Sequence, residues 1–132
     1  MRVSGFSLIE LLVVIGIVAL INAIMIPNFS AMMSSAKVMS AKSTTRNLMV
    51  AIEQYYFLNQ GYPGNNNATI EGVIAELKTD NIIQSSPINP FTNQAHTSSD
   101  TSGKLIYRRT TPDSYQIQLY GADNMAIIFE YP

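Results

Sequence analysis

Leu11 to Ile26 is apolar except for Asn22, and between Arg2 and Lys37 the only charged side chain is Glu10. A run that is apolar on every face of a helix cannot sit on the surface of a small soluble domain, so it constrains the architecture more than any other feature. Phe6 to Met25, if helical, crosses a hydrocarbon core of roughly 30 Å. Three structures accommodate such a run: a core helix, a cleavable secretory signal, or a retained membrane helix. The core helix is disfavoured by the all-round apolar character of the segment. The secretory signal fits the basic Arg2, but Glu10 interrupts its apolar stretch and no clear A-x-A site follows. The residues favour a retained transmembrane helix. That helix then holds one carboxylate whose burial in the bilayer interior costs at least ~2.5 kcal/mol unless it is protonated, near the headgroups or paired.

The rest of the chain is too short for much more than one domain. The whole chain has 132 residues, 47% of them hydrophobic and 13% charged, the latter about half the usual fraction for a soluble domain. The net charge of -1 gives no general case for binding nucleic acid. With no cysteine, disulfides, thiolate metal sites and cysteine nucleophiles are excluded.

Pro27 falls where a helix interior would lose a backbone hydrogen bond, which predicts a break or kink at the end of the apolar run, over Ala19 to Pro27. Beyond it, Leu48, Ala51, Ile52, Tyr55 and Leu58 recur at spacings of three and four, with polar residues between them. That is the pattern of an amphipathic helix over 28–60 with one packed face. Gln60-Gly61-Tyr62-Pro63 should end it, with glycine as the cap. Ile70 to Leu77 predicts a short helix with Ile70, Val73, Ile74 and Leu77 on one side, and Ser85 to Ser102 reads as loop. Lys104 to Thr110, Tyr115 to Tyr120 and Met125 to Tyr131 read as three strands in a meander, separated by turns at 111–113 and 121–124. Such a sheet needs an apolar lid, and the Leu48 to Leu58 face is the candidate. The expected fold is α+β: a long N-terminal α-helix, its first half transmembrane, packed on a three-stranded antiparallel sheet.

Gly5-Phe6-Ser7-Leu8-Ile9-Glu10-Leu11-Leu12-Val13-Val14-Ile15 resembles the N-terminal signature of type IV pilins and of the pseudopilins of type II secretion systems. Ser86 to Asn93 and Tyr120-Gly121-Ala122-Asp123 are similar to segments of major pseudopilins. The resemblance implies a leader at 1–5, a membrane and assembly helix at 6–27, and a head at 61–132 with an αβ-loop (61–103) before the sheet (104–132). It implies cleavage between Gly5 and Phe6 by a prepilin peptidase, N-methylation of Phe6, and a helix break at Pro27. It also implies that Glu10 sets the register between subunits. The residues themselves fit this scheme. Gly5 lets a protease approach the backbone, and a cut there creates an amine four residues before Glu10, on the same face if both are helical.

The implied partners are further copies of the chain in a helical homopolymer, an inner-membrane assembly platform, minor pilins or pseudopilins, and membrane lipid before assembly. The precursor would be a single-pass protein of the bacterial inner membrane with its N-terminus inside, later part of a surface pilus or a periplasmic pseudopilus. Counting Lys37, Lys42 and Arg46 against Arg2 does not by itself favour that orientation. No cofactor is expected. Calcium, which many major pseudopilins hold after a Tyr-Gly-Ala-Asp segment, has candidate ligands in Asp100, Asp113 and Asp123, but Asn124 to Ile128 replaces the acidic continuation. His96 sits in a polar loop and reads as solvated, as do Arg108 and Arg109. Nothing assembles an acid, base and nucleophile, so the chain reads as a structural subunit, not an enzyme. The other reading left open is a single-pass anchored binding module.

Overall fold

In the computed structural model, residues 5–132 are described. They fall into two compact units, one ending at Ala36 and one running Lys37–Pro132, and the first helix contributes to both. Helix α1 (Leu8–Asn59) is a single α-helix, so the break expected at Pro27 does not interrupt it. An interior proline removes one i→i−4 bond, but the intact ladder on either side can carry the helix past it.

Among its described residues the first unit has no core. Its apolar side chains are exposed on every face, from Leu8 and Ile9 through Ile26 to Met33.

In the second unit, α1 buries Ala41, Thr45, Leu48, Ala51 and Ile52. The packed stripe therefore starts earlier than the sequence pattern indicated and ends before Leu58, which is exposed. Ala41 and Thr45 carry little apolar signal, yet their small side chains permit close approach. The Thr45 hydroxyl is satisfied within the helix, donating to the Ala41 carbonyl at 2.9 Å. The end of α1 also differs in detail. Gln60, not glycine, takes the left-handed conformation (φ 53°), and its N–H donates to the Tyr56 carbonyl at 2.8 Å. The next strand connection dictates this early reversal, since Tyr62 N–H reaches the Pro112 carbonyl at 3.0 Å.

Helix α2 (Ile70–Thr79) starts at Thr69, whose hydroxyl oxygen accepts from Gly72 N–H, and buries Ile70, Val73, Ile74 and Leu77 as expected. The expected loop over 85–102 contains a short antiparallel pair, β1 (Ile88–Asn89) and β2 (Gln94–Ala95). Strands β3 (Leu105–Thr111), β4 (Ser114–Tyr120) and β5 (Ile127–Tyr131) form an antiparallel meander with β4 central. Register places Leu105 opposite Leu119 and Tyr107 opposite Ile117, so one face carries Leu105, Tyr107, Tyr115, Ile117 and Leu119 into the core. With a side-chain period of two, a one-residue slip would expose that whole row. Burial of each large aliphatic side chain contributes roughly 1.5–3 kcal/mol, and the α1 stripe, α2 and the sheet face form one cluster.

Candidate functional site

The membrane-capable helix and the one acid at its start come first. An 18-residue window of α1 has a mean hydropathy of 2.7 with none of it buried, which by length and composition suffices to cross a bilayer. Glu10 lies in its first turn, and one carboxylate oxygen accepts from the backbone N–H of Ser7 at 2.9 Å. Ser7 precedes the first helical residue, so Glu10 reaches back to the cap in the manner of a capping box. The acid is thus partly satisfied by its own helix end. A carboxylate has further acceptor capacity, and no other partner of Glu10 occurs among the described residues.

Phe6 is exposed and lies before the helix, which starts at Leu8. The single-face relation expected of Phe6 and Glu10 therefore does not hold here, because the helix capped by Glu10 starts two residues after Phe6. Around Gly5 the space is open: an added Cβ would meet nothing within 4 Å. The rest of the expected leader, residues 1–4 with Arg2, lies outside the described residues.

The remaining acids of the head are used as structural acceptors. Glu53 accepts from the Tyr62 hydroxyl, Asp113 from the Tyr56 hydroxyl and Asp80 from the Asn59 amide. Glu76 accepts from Gly64 N–H, Glu71 from Ser98, and Glu130 from Gln116 and Gln118. Among the described residues no lysine or arginine lies within 4.0 Å of a carboxylate. Burial pushes the Glu71 carboxyl up, but the Ser98 N–H and hydroxyl outweigh it and hold it below its ordinary value.

The calcium candidates do not form a site. Asp113 sits in the β3–β4 turn, at the opposite end of those strands from Asp100 and Asp123, and no group of three metal-capable side chains occurs among the described residues. Asp100 accepts from the Asn89 amide, Thr97 N–H and the Thr97 hydroxyl, and Asp123 from Met125 N–H. A calcium ion needs six to eight oxygen ligands, roughly, and these carboxylates face N–H donors. The residues present do not fit calcium.

The Asp100 region corrects a second expectation. His96 is buried, not solvated, with Nδ1 3.5 Å from Asp100 Oδ2. That separation is an electrostatic contact; neither ring nitrogen has a formed hydrogen bond. Burial pulls the imidazole below its ordinary value, with the Asp100 carboxylate opposing. Around it, the Asn89 amide also donates to the Ser102 carbonyl, and the Asn124 amide to the Asp100 carbonyl. These bonds join the β1–β2 hairpin, the 97–103 segment and the β4–β5 turn. No local pattern announces this burial.

Tyr56, Tyr62, Tyr115, Tyr107 and Tyr131 form a connected aromatic cluster, with ring centroids 4.5 Å apart for Tyr56–Tyr62 and 4.6 Å for Tyr62–Tyr115. Burial, then the Glu53 carboxylate, pushes the Tyr62 phenol up to about 12. Tyr107 and Tyr115 are buried in the core, Tyr56 and Tyr62 are half-buried against them, and Tyr131 is exposed at the edge of the cluster. Phe57, beside it in sequence, is exposed. Arg109 is not solvated as expected: its guanidinium donates to the Gly64 and Thr111 carbonyls.

A long helix whose first half is apolar and exposed, followed by a small head with a three-stranded meander, defines an α+β protein with one N-terminal helix long and apolar enough to cross a membrane. The comparisons with known proteins agree. The chain is 32% identical over 75 residues to the fimbrial protein of Neisseria meningitidis serogroup B, covering 57% of this chain and 44% of that protein. It is 28% identical over 102 residues to type II secretion system core protein G of Pseudomonas aeruginosa, covering 68% of this chain and 69% of that one. It is 34% identical over 76 residues to type IV major pilin protein PilE1 of Neisseria gonorrhoeae, covering 57% of this chain and 35% of that one. The chain thus spans less than half the length of both Neisseria proteins. No family model matches the chain, and no solved structure matches it significantly. The chain is thus similar to type IV pilins and to a type II secretion core protein.

Proposed function

We propose that this chain is a structural subunit of a type IV pilus or of a type II secretion pseudopilus. The observation that carries the reading is the first half of α1: apolar, exposed on all faces, and without a core of its own. Such a surface needs lipid or other copies of the same helix around it. In the precursor, lipid covers it; in the filament, neighbouring α1 helices do. The precursor is a single-pass inner-membrane protein with its head outside, and its partners are further copies, minor pilins or pseudopilins, and an assembly platform. The role is structural and not enzymatic.

A prepilin peptidase cuts between Gly5 and Phe6, and Phe6 is then N-methylated. The openness around Gly5 is compatible with protease access. The cut replaces a neutral peptide N–H at Phe6 with a cationic amine. Glu10 already has one carboxylate oxygen on Ser7 N–H, which leaves acceptor capacity for such an amine from a neighbouring copy. A carboxylate left unpaired in an apolar bundle costs several kcal/mol, about 3–5 when one partner of a buried pair is removed. Only axial offsets that bring amine and carboxylate together avoid that cost, so Glu10 fixes the register.

Mass spectrometry of the membrane-extracted protein tests processing. The expected product starts at a methylated Phe6. A chain still carrying Gly5 and the residues before it would contradict the reading and favour a membrane-anchored binding module.

A further inference from the structure

A concave site on the head, about 370 Å³ in volume, lies between the segment after α1 and the β3–β4 turn, lined by Asn65, Asn66, Asn67, Arg109 and Pro112. Its walls are tied together. Tyr62 N–H donates to the Pro112 carbonyl at 3.0 Å, and the Tyr107 hydroxyl donates to the Pro63 carbonyl at 2.9 Å. Arg109 is held between the Gly64 and Thr111 carbonyls. The guanidinium is thus fixed in direction before any ligand arrives, which removes much of the ordering cost of binding.

The polar groups of this site are largely unspent. Among the described residues Arg109 has no carboxylate within 4.0 Å, and its remaining N–H groups have no acceptor. Asn65 Oδ1 accepts from Asn67 N–H, while the side-chain amides of Asn66 and Asn67 make no hydrogen bond among the described residues. A guanidinium calls for a planar carboxylate. Carboxamides, each both donor and acceptor, suit hydroxyl groups, which also donate and accept. Phosphate, an acceptor only, would take the amide N–H groups and leave the amide oxygens without donors, which sugar hydroxyls supply. A bare side-chain carboxylate would leave the amides unused. Pro112 offers an apolar ring against which the C–H face of a sugar can lie.

We propose that this site binds an acidic monosaccharide unit of the hexuronate type, with its carboxylate on Arg109 and its hydroxyls on Asn66 and Asn67. The site lies wholly within Lys37–Pro132 and does not depend on the filament reading.

The test is a titration of the full chain in phosphocholine micelles with D-glucuronate, D-glucose and acetate, followed by NMR of the Arg109 and asparagine side-chain signals. Glucuronate should give saturable shifts, with glucose and acetate each weaker by about tenfold or more, the loss expected for one or two hydrogen bonds. Arg109 also pins the Gly64 carbonyl, so its replacement risks the fold. The exposed pair Asn66→Ala with Asn67→Ala serves instead, and should weaken glucuronate about tenfold while the thermal midpoint stays unchanged. The proposal is overturned if glucuronate gives no saturable shift, if acetate binds as tightly, or if the double variant binds as the parent does.

Discussion

Val14 and Ile17, in the first half of α1, are about half exposed (49% and 52%), whereas Ile117 and Leu119 in β4 have no accessible surface at all. The four residues are chemically alike. What differs is where their burial takes place: within the chain for the head, and, in the function proposed above, against lipid or other copies for the apolar half of α1. The apolar helix therefore adds little to the stability of the isolated head, and the head adds little to the force that gathers helices together.

The sharpest way to break this division is to truncate matched side chains in the two regions. Leu119→Ala should cost the head roughly 2–5 kcal/mol and lower its thermal midpoint by ~10–25 °C. Ile17→Ala should leave that midpoint within about 2 °C, both read by circular dichroism in detergent. A comparable loss from Ile17→Ala would show that the first half of α1 is part of the head's own core.

Glycines give a second, somewhat smaller contrast. Gly103 has φ 64°, and a Cβ there would lie 2.3 Å from Phe91 Cδ2 and 2.8 Å from Asn89 Oδ1. Gly103→Ala should destabilise the head by about 2–4 kcal/mol, combining left-handed strain with a clash beside the Asn89 hub. Gly16, mid-helix, meets nothing within 4 Å. Gly16→Ala should leave the head unchanged and stiffen the helix by about 0.5–1 kcal/mol, visible as slower amide exchange around residue 16.

The smallest expected effect concerns acid sensitivity, which should belong to the head alone. Burial lowers the His96 value in the folded state, so the unfolded chain binds the proton more readily and stability rises with pH. The contribution is present above the unfolded value of about 6.5 and is lost as pH falls from there through the folded value. Between about pH 7.5 and 5 the midpoint should fall by a few degrees, and His96→Phe should flatten that slope. An unchanged slope would place the acid response elsewhere.

Much of this division was legible from residue order. The apolar run, the face formed by Ile70, Val73, Ile74 and Leu77, and the alternation of Tyr115, Ile117 and Leu119 all rest on local period, and each element forms where its pattern lies. The deviations share another cause. Burial of His96, the clamp of Arg109 on Gly64 and the left-handed Gln60 all depend on partners distant in sequence, for which a local pattern carries no signal. Ala41 and Thr45 were missed because small or polar residues contrast weakly with a solvated face. Glu10 stood out as a lone charge, but its contact with Ser7 N–H became visible only once the helix start was fixed at Leu8.

The central claim is that the apolar half of α1 is completed by other copies, with Glu10 setting their register. Filament counts by electron microscopy of cells producing Glu10→Val or the parent test it most directly, with the head's thermal midpoint measured alongside. The account predicts at least about tenfold fewer filaments, since loss of ~1.4 kcal/mol per contact suffices, and an unchanged head. Normal filament numbers from Glu10→Val would contradict it.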